Sequence, residues 1–184
     1  MDRKKFIKAL AAFPLISAPL KLFARQLNAA VPCKTEKDAE GPFYKANAPV
    51  RAVLETAGDP LVIEGTVFRS DSCETPLPHA VLDVWHCDKN GDYDMQGFKG
   101  RGQITADAKG VYRFTTIFPP PYGNRPRHIH FKIRAEGQRE LTTQLYFHGD
   151  PNIKNDFARN AEKARIITLS SEKNLKKGVF NIYL

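Results

Sequence analysis

Short segments in which apolar and polar residues alternate constrain this chain more than any other feature of its 184 residues. Side chains of a β-strand point alternately to its two faces, so this alternation predicts strands that are buried on one side. Turn-forming sequences such as Asn90-Gly91 separate the segments. The predicted strands cover residues 61–68, 79–87, 111–117, 128–133, 141–147, 164–169 and 179–184. Seven or more short strands indicate an all-β fold, an antiparallel β-sandwich, in which residues 154–164 are the one helical candidate.

The first 30 residues are predicted to be an export signal that precedes a single domain over residues 31–184. Four basic residues within residues 1–8 come before an apolar stretch over residues 9–20, which is the layout of a signal peptide. Pro14 and Pro19 interrupt this stretch, which is also too short for a membrane span. We therefore expect export to the periplasm through a Sec or twin-arginine-like route. The alternative is an amphipathic first helix of the folded domain.

The positive charge of the chain is concentrated in this predicted signal. Residues 1–30 hold six Lys or Arg and one Asp, so their removal lowers the formal net charge from +8 to +3. A strongly basic domain would indicate a nucleic-acid partner, and this nearly balanced one does not. The chain contains 42% hydrophobic and 26% charged residues, which is typical of a packed domain and not of a disordered chain.

Three cysteines, Cys33, Cys73 and Cys87, follow the predicted signal. An exported protein forms disulfides readily, and three cysteines allow one disulfide and one free thiol. The sequence does not choose the pair. Lipid attachment at Cys33 is less favoured, because Ala30-Val31-Pro32 matches a lipidation signal poorly.

Two histidines at strand spacing are the first candidates for chemistry. His128 and His130 would lie on one face of the predicted strand, with Ile129 and Phe131 on the other. Two adjacent imidazoles can bind one metal ion. The alternative is a pair of surface or hydrogen-bonded histidines.

Two tyrosines lie near these histidines in the sequence. Tyr122 follows three prolines, which hold the chain extended and stiff. Tyr93 follows a segment over residues 88–92 that imitates the start of a calcium loop. However, the sixth position of that loop is Tyr93 rather than Gly, and the twelfth is Lys99 rather than Glu. A hairpin turn that carries Tyr93 at its exit is the better interpretation.

A set of motifs in fixed order resembles the intradiol ring-cleavage dioxygenases, especially the protocatechuate 3,4-dioxygenase-like branch. The resemblance extends from about residue 40 to residue 151. Its motifs are Glu40-Gly41-Pro42-Phe43-Tyr44, Val84-Trp85-His86, Gly91-Asp92-Tyr93, residues 105–116, Pro121-Tyr122, Arg125-Pro126-Arg127-His128-Ile129-His130-Phe131 and Thr143-Gln144-Leu145-Tyr146-Phe147. Each motif is common by itself, whereas the ordered set is specific.

The resemblance implies a ferric ion held by two tyrosinates, Tyr93 and Tyr122, and two imidazoles, His128 and His130. It also implies that Tyr122 leaves the metal when substrate binds. Phenolate oxygens are hard anionic ligands and should favour Fe(III) over Fe(II). The implied substrates are a catechol and O₂, and the product is a cis,cis-muconate-type diacid.

The resemblance assigns four further residues to the pocket. Arg125 matches an arginine beside the substrate ring, and Gln144 matches a polar residue behind the metal ligands. Gly41 and Pro42 match a segment that closes the pocket. The sequence does not determine the substituents of the catechol ring. It also leaves the oligomeric state open, and a homo-oligomer is one possibility.

One alternative has a different function. Residues 107–114 also resemble transthyretin-like and carboxypeptidase-regulatory-like domains, which are exported β-sandwich binding modules without a catalytic metal. Those modules do not require Tyr122 together with His128 and His130, so iron content and ring cleavage distinguish the two interpretations.

Overall fold

The computed structural model describes residues 33–184, and the predicted export signal lies outside this range. The described chain is nearly all β-structure, as predicted, with three short 3₁₀ helices at Ile153–Asn155, Phe157–Asn160 and Lys163–Arg165. The strands are β1 (Pro60–Phe68), β2 (Val81–Trp85), β3 (Arg101–Thr105), β4 (Val111–Ile117), β5 (His128–Arg134), β6 (Leu141–Phe147), β7 (Ile166–Ile167), β8 (Ser170–Glu172), β9 (Leu175–Val179) and β10 (Ile182–Tyr183).

The strands form two five-stranded sheets. In the first sheet β1 pairs with β4 on one side and with β9 and β10 on the other, and β8 pairs with β9. The second sheet has the order β3-β2-β5-β6-β7. Large apolar side chains of both sheets, among them Ile63, Phe114, Leu82 and Phe131, form one buried core.

The predicted all-β sandwich is confirmed, and its sheets are mixed rather than antiparallel throughout. The strand pairs β1–β9, β1–β10 and β6–β7 are parallel, while the other pairs are antiparallel. Antiparallel neighbours can be joined by a tight turn, whereas parallel neighbours need a longer crossover. The three 3₁₀ helices provide such a crossover between β6 and β7.

Several predicted elements differ in extent from the observed ones. Residues 164–169 contribute only the two-residue strand β7, and β3, β8 and β9 were not expected, because their residues are mostly polar or Gly. The helix predicted at residues 154–164 is instead the group of 3₁₀ turns. Asp156 has extended backbone angles (φ −111°, ψ 166°), and its side chain accepts a hydrogen bond from the Ala158 amide. This extended residue prevents one continuous helix.

Residues 33–44, here called the strap, are hydrogen-bonded to β6 of the second sheet. The Asp38 amide donates to the Thr142 carbonyl (2.9 Å), and the Thr143 hydroxyl donates to the Glu36 carbonyl (2.7 Å). A disulfide joins Cys33 to Cys73, which resolves the pairing that the sequence left open.

Within residues 33–184, no helix is both long and apolar enough to cross a membrane.

Candidate metal centre

The strand register places two candidate residues, His130 and Gln144, in one row on the outer face of the second sheet. Trp85 of β2 pairs with Arg101 of β3 on one side and with His130 of β5 on the other, and His130 pairs with Gln144 of β6. Ile129 is fully buried in the core between the sheets. The predicted division of β5 into a histidine face and an apolar face is therefore confirmed.

His128 is oriented through both of its ring nitrogens. Nδ1 donates to the Pro126 carbonyl (2.7 Å), so Nε2 keeps its lone pair and accepts from the Tyr93 hydroxyl (3.2 Å). Two ligands of one metal ion, each about 2.1 Å from it and at right angles, lie about 3 Å apart. The spacing of the Tyr93 and His128 donor atoms therefore suits a shared metal ion.

His130 completes a group of converging rings. Its imidazole lies 4.9 Å from that of His128 (centroid to centroid) and stacks on Trp85 at 4.8 Å with the planes 6° apart. The His130 Nδ1 atom is buried and has no hydrogen-bond partner within residues 33–184. Buried polar atoms nearly always have a partner, so an orphaned imidazole nitrogen is consistent with a site that binds a ligand.

Burial sets the protonation of these groups. It lowers the pKa of His128 to about 4 and the pKa of His130 well below its usual value, so both imidazoles are neutral at pH 7. Burial also raises the pKa of the Tyr93 phenol. A neutral imidazole is the form that binds metals, and a cation is needed to ionise Tyr93.

The two predicted tyrosines come from different loops but meet at the same place. The Tyr93 and Tyr122 rings are 5.4 Å apart and nearly perpendicular, and the Tyr93 ring lies 6.1 Å from the ring of His130. The loop of Tyr93 turns at Gly91, as expected of a hairpin. The structure thus brings all four predicted ligands together, while their role as ligands stays a prediction.

Arg125 lies in a network of polar side chains beside this group. Its Nε donates to Asp156 (3.1 Å), its Nη2 donates to the Tyr146 hydroxyl (3.3 Å), and its guanidinium stacks over the Phe157 ring at 4.2 Å. The Gln144 side chain is fully buried and donates to the Ala39 carbonyl of the strap (2.6 Å).

The strap reaches the candidate site at the predicted closing segment. Gly41 has a positive φ of 72°, and a Cβ there would lie 3.6 Å from Cε1 of His130, so Gly41 lies against this ring. Pro42 is the next residue and is exposed. The ring of Phe43 stacks on Tyr93 at 4.3 Å with the planes 9° apart.

The donor set itself indicates which metal would fit. Among residues 33–184, no group of three or more His, Cys, Asp or Glu is arranged to hold a metal ion. A metal at this site would therefore depend on the phenolate oxygens of Tyr93 and Tyr122. Two imidazoles with two phenolates suit Fe(III), which prefers hard anionic oxygen.

Some features of the site could not be derived from the sequence motifs alone. Phe43 belongs to the motif over residues 40–44, but only the folded strap shows that its ring covers Tyr93. Trp85 was predicted as a core residue and is buried, although it packs on His130. The sequence assigns no role to Arg101, because a single charged residue at the start of a polar strand carries no local signal of burial.

Comparisons with known proteins indicate the family to which the chain belongs. A family model described as Dioxygenase matches residues 39–183. A catechol 1,2-dioxygenase of Acinetobacter baylyi is 34% identical over 72% of this chain and 52% of its own length. Catechol 1,2-dioxygenase 2 of Acinetobacter lwoffii is 36% identical over 76% of this chain and 60% of its own length. The chain thus spans about half to three-fifths of these relatives.

Solved structures show the same fold. The dioxygenase domain of a dioxygenase carbohydrate-binding protein fusion from Streptomyces sp. SirexAA-E is 38% identical, with a TM-score of 0.76 over 82% of this chain and 97% of that domain. The catechol 1,2-dioxygenase of Acinetobacter sp. ADP1 is 29% identical, with a TM-score of 0.72 over 82% of this chain and 62% of that one. By the family match and by these relatives, the chain belongs to the intradiol ring-cleavage dioxygenase family.

Proposed function

We propose that this chain is an Fe(III)-dependent intradiol dioxygenase that cleaves a catechol between its two hydroxyl-bearing carbons. One C–C bond breaks and both atoms of O₂ enter the product, a cis,cis-muconate-type diacid. The observation that carries the proposal is the 3.2 Å approach of the Tyr93 hydroxyl to Nε2 of His128, beside the orphaned nitrogen of His130.

The chain's own residues have distinct tasks in this proposal. Tyr93, His128 and His130 would hold the iron, which when bound supplies the Lewis acidity that makes a catecholate ring reactive toward O₂. Tyr122, which is half-buried on its loop, would act as the exchangeable ligand, and its phenolate oxygen can accept a proton from a catechol hydroxyl. The Arg125 guanidinium would stabilise negative charge that develops on the ring.

The pairing of Arg125 and Arg127 with carboxylates favours a catechol without a carboxylate substituent as substrate. Arg125 is paired with Asp156, and Arg127 donates to Asp150 through both its amide (3.0 Å) and its Nη1 (3.1 Å). A guanidinium that already binds a carboxylate offers little attraction to a second one. The Acinetobacter enzymes reported above are named for catechol, in keeping with this choice, and the protocatechuate-like branch stays a prediction from the motifs.

Ferric reconstitution followed by a substrate assay tests this function. We expect a coloured protein, from phenolate-to-iron charge transfer, that consumes one O₂ per catechol and prefers catechol to protocatechuate. His130→Ala should lose colour and turnover, whereas His148→Ala, at an exposed loop position, should keep both. A colourless protein without iron would refute the function, and iron binding without O₂ consumption would indicate a binding module.

We further propose that the protein is exported and works in an oxidising compartment such as the periplasm. The Cys33–Cys73 disulfide supports this location, because disulfides persist outside the reducing cytosol. Expression of the full chain in a bacterial host, followed by fractionation and mass measurement, should find a periplasmic product that lacks about the first 30 residues. An uncleaved cytoplasmic product would contradict export.

A further inference from the structure

Arg101 is a buried cation in the second sheet. It is the first residue of β3 and only 1% exposed. Within residues 33–184, no carboxylate lies within ion-pair distance of its guanidinium. Burying a charge without a counter-charge is costly unless its N–H groups are hydrogen-bonded. The partners that Arg101 does have therefore indicate what it is for.

Those partners belong to the two segments that enclose Tyr93. Nε of Arg101 donates to the carbonyl of Asp94 (3.0 Å), the residue that follows Tyr93. Nη1 donates to the carbonyl of Phe43 (2.7 Å), the residue whose ring covers that of Tyr93. Nη2 contacts Sδ of Met95 (3.3 Å). One guanidinium thus binds both the loop that carries Tyr93 and the strap that packs on it.

The backbone of Arg101 is held firmly relative to the candidate histidines. Its amide donates to the Phe98 carbonyl (3.1 Å), and its own carbonyl accepts from Nε of Arg51 (2.9 Å). In the register of the second sheet, Arg101 is two strands from His130, with Trp85 between them. The guanidinium therefore relates two irregular segments to the rigid sheet that bears His128 and His130.

We propose that Arg101 is a positioning residue that sets the Tyr93 ring against His128 and His130 by binding the carbonyls of Asp94 and Phe43. The part of this proposal that concerns iron rests on the proposed function, whereas the part that concerns the two segments does not. Lysine should not replace arginine here, because an ammonium group is a compact charge and lacks the planar fork that reaches two fixed carbonyls.

The first test uses the metal-free protein. Arg101→Lys and Arg101→Met are compared with Arg113→Lys, a control at an exposed arginine of β4 that pairs with Glu64. We expect backbone amides of residues 41–45 and 93–99 to exchange hydrogen about tenfold faster in the Arg101 variants, with β5 and β6 unchanged. The control should match the wild type.

The second test uses the ferric protein. In Arg101→Lys the phenolate-to-iron absorption band should shift or weaken, and kcat should fall several-fold with a smaller change in KM. Unchanged exchange in both segments would overturn the proposal, and so would loss of the whole fold in both variants, since Arg101 would then support the entire domain. If the wild type binds no iron, the proposed function fails while the exchange measurement still decides the role of Arg101.

Discussion

At the scale of single residues, the proposed metal site depends on the hydrogen bond between Tyr93 and His128. Burial raises the pKa of Tyr93, so the phenol keeps its proton. In the metal-free protein the phenol donates a hydrogen bond to His128. A cation that takes the place of this proton would gain a phenolate oxygen and an imidazole lone pair at once. This contact is therefore the main structural support for the candidate site.

Replacing Tyr93 by phenylalanine tests whether the Tyr93 oxygen binds the metal. Tyr93→Phe removes one oxygen atom and leaves the stacking on Phe43 in place, so the fold should persist. We expect bound iron to fall at least about tenfold, as measured by metal analysis and by loss of colour.

The matched control is Tyr183→Phe, which lies in β10 of the first sheet. It should bind iron like the wild type. Full iron content and colour in Tyr93→Phe would remove Tyr93 from the ligand set.

At the scale of elements, the strap links the candidate site to the rest of the domain. Its first residue, Cys33, is bonded to Cys73 across 40 residues of sequence, and further along Tyr44 donates to buried Asp83 (2.9 Å). Between these ends lie Gly41 and Phe43, which contact the rings of the site. The strap therefore joins the disulfide and the residues that cover Tyr93 in one continuous segment.

Removal of the disulfide should destabilise the domain. Closing a loop of this length is expected to contribute about 4 kcal/mol through the reduced entropy of the unfolded chain. The double variant Cys33→Ser, Cys73→Ser should therefore unfold at lower urea concentration than the oxidised wild type.

Reductant supplies the control for the disulfide. It should lower the stability of the wild type to that of the double variant and leave the variant itself unchanged. Equal stability of the oxidised wild type and the variant would show that the disulfide does not constrain the unfolded chain.

The backbone of Phe180 packs closely against Gly65 of β1, which leads to a second prediction at this scale. A Cβ at Gly65 would overlap the carbonyl of Phe180, whose oxygen also accepts from the Tyr112 hydroxyl (2.6 Å). Gly65→Ala should therefore cost more than about 2 kcal/mol in the free energy of unfolding, measured by urea denaturation. Unaltered stability would mean that the C-terminal segment can move away from β1.

At the scale of the whole molecule, buried histidines couple stability to pH. His86 is buried, with Nδ1 against the Cys87 carbonyl (2.7 Å) and Nε2 against the Thr116 hydroxyl (2.6 Å). Burial lowers the pKa of His86 and of His128 from 6.5 to about 4. Between these two values the unfolded chain binds protons that the folded chain does not, so acid favours unfolding.

The metal-free protein should accordingly lose stability as pH falls from 6.5 to 4. Each of these histidines should contribute about 3 kcal/mol to the loss, and stability should be restored above pH 6.5. His86→Gln should lessen the slope by about one proton, or about 1.4 kcal/mol per pH unit, in urea titrations at several pH values. The exposed His148→Gln is the control, and an equal slope in both variants would contradict a neutral buried His86.

The sequence by itself determined the class of fold, the histidine face of β5 and the set of residues proposed to bind iron. The first two follow from alternation along a strand, which places His128 on the face opposite Ile129. The proposed iron-binding set follows from the resemblance of the ordered motifs to the intradiol dioxygenases. Strands with clear apolar alternation, such as β1, β4 and β6, were predicted within a residue, whereas the polar strand β3 was not.

Only the tertiary structure decided the features that join distant parts of the chain. The pairing of Cys33 with Cys73, the parallel strands beside β1, and the stacking of Phe43 on Tyr93 all depend on which segments meet after folding. The same holds for Arg101, which the sequence shows as an ordinary charged residue and the structure buries against two backbone carbonyls. Local periodicity specifies which face a side chain takes, whereas long-range packing specifies what that side chain meets there.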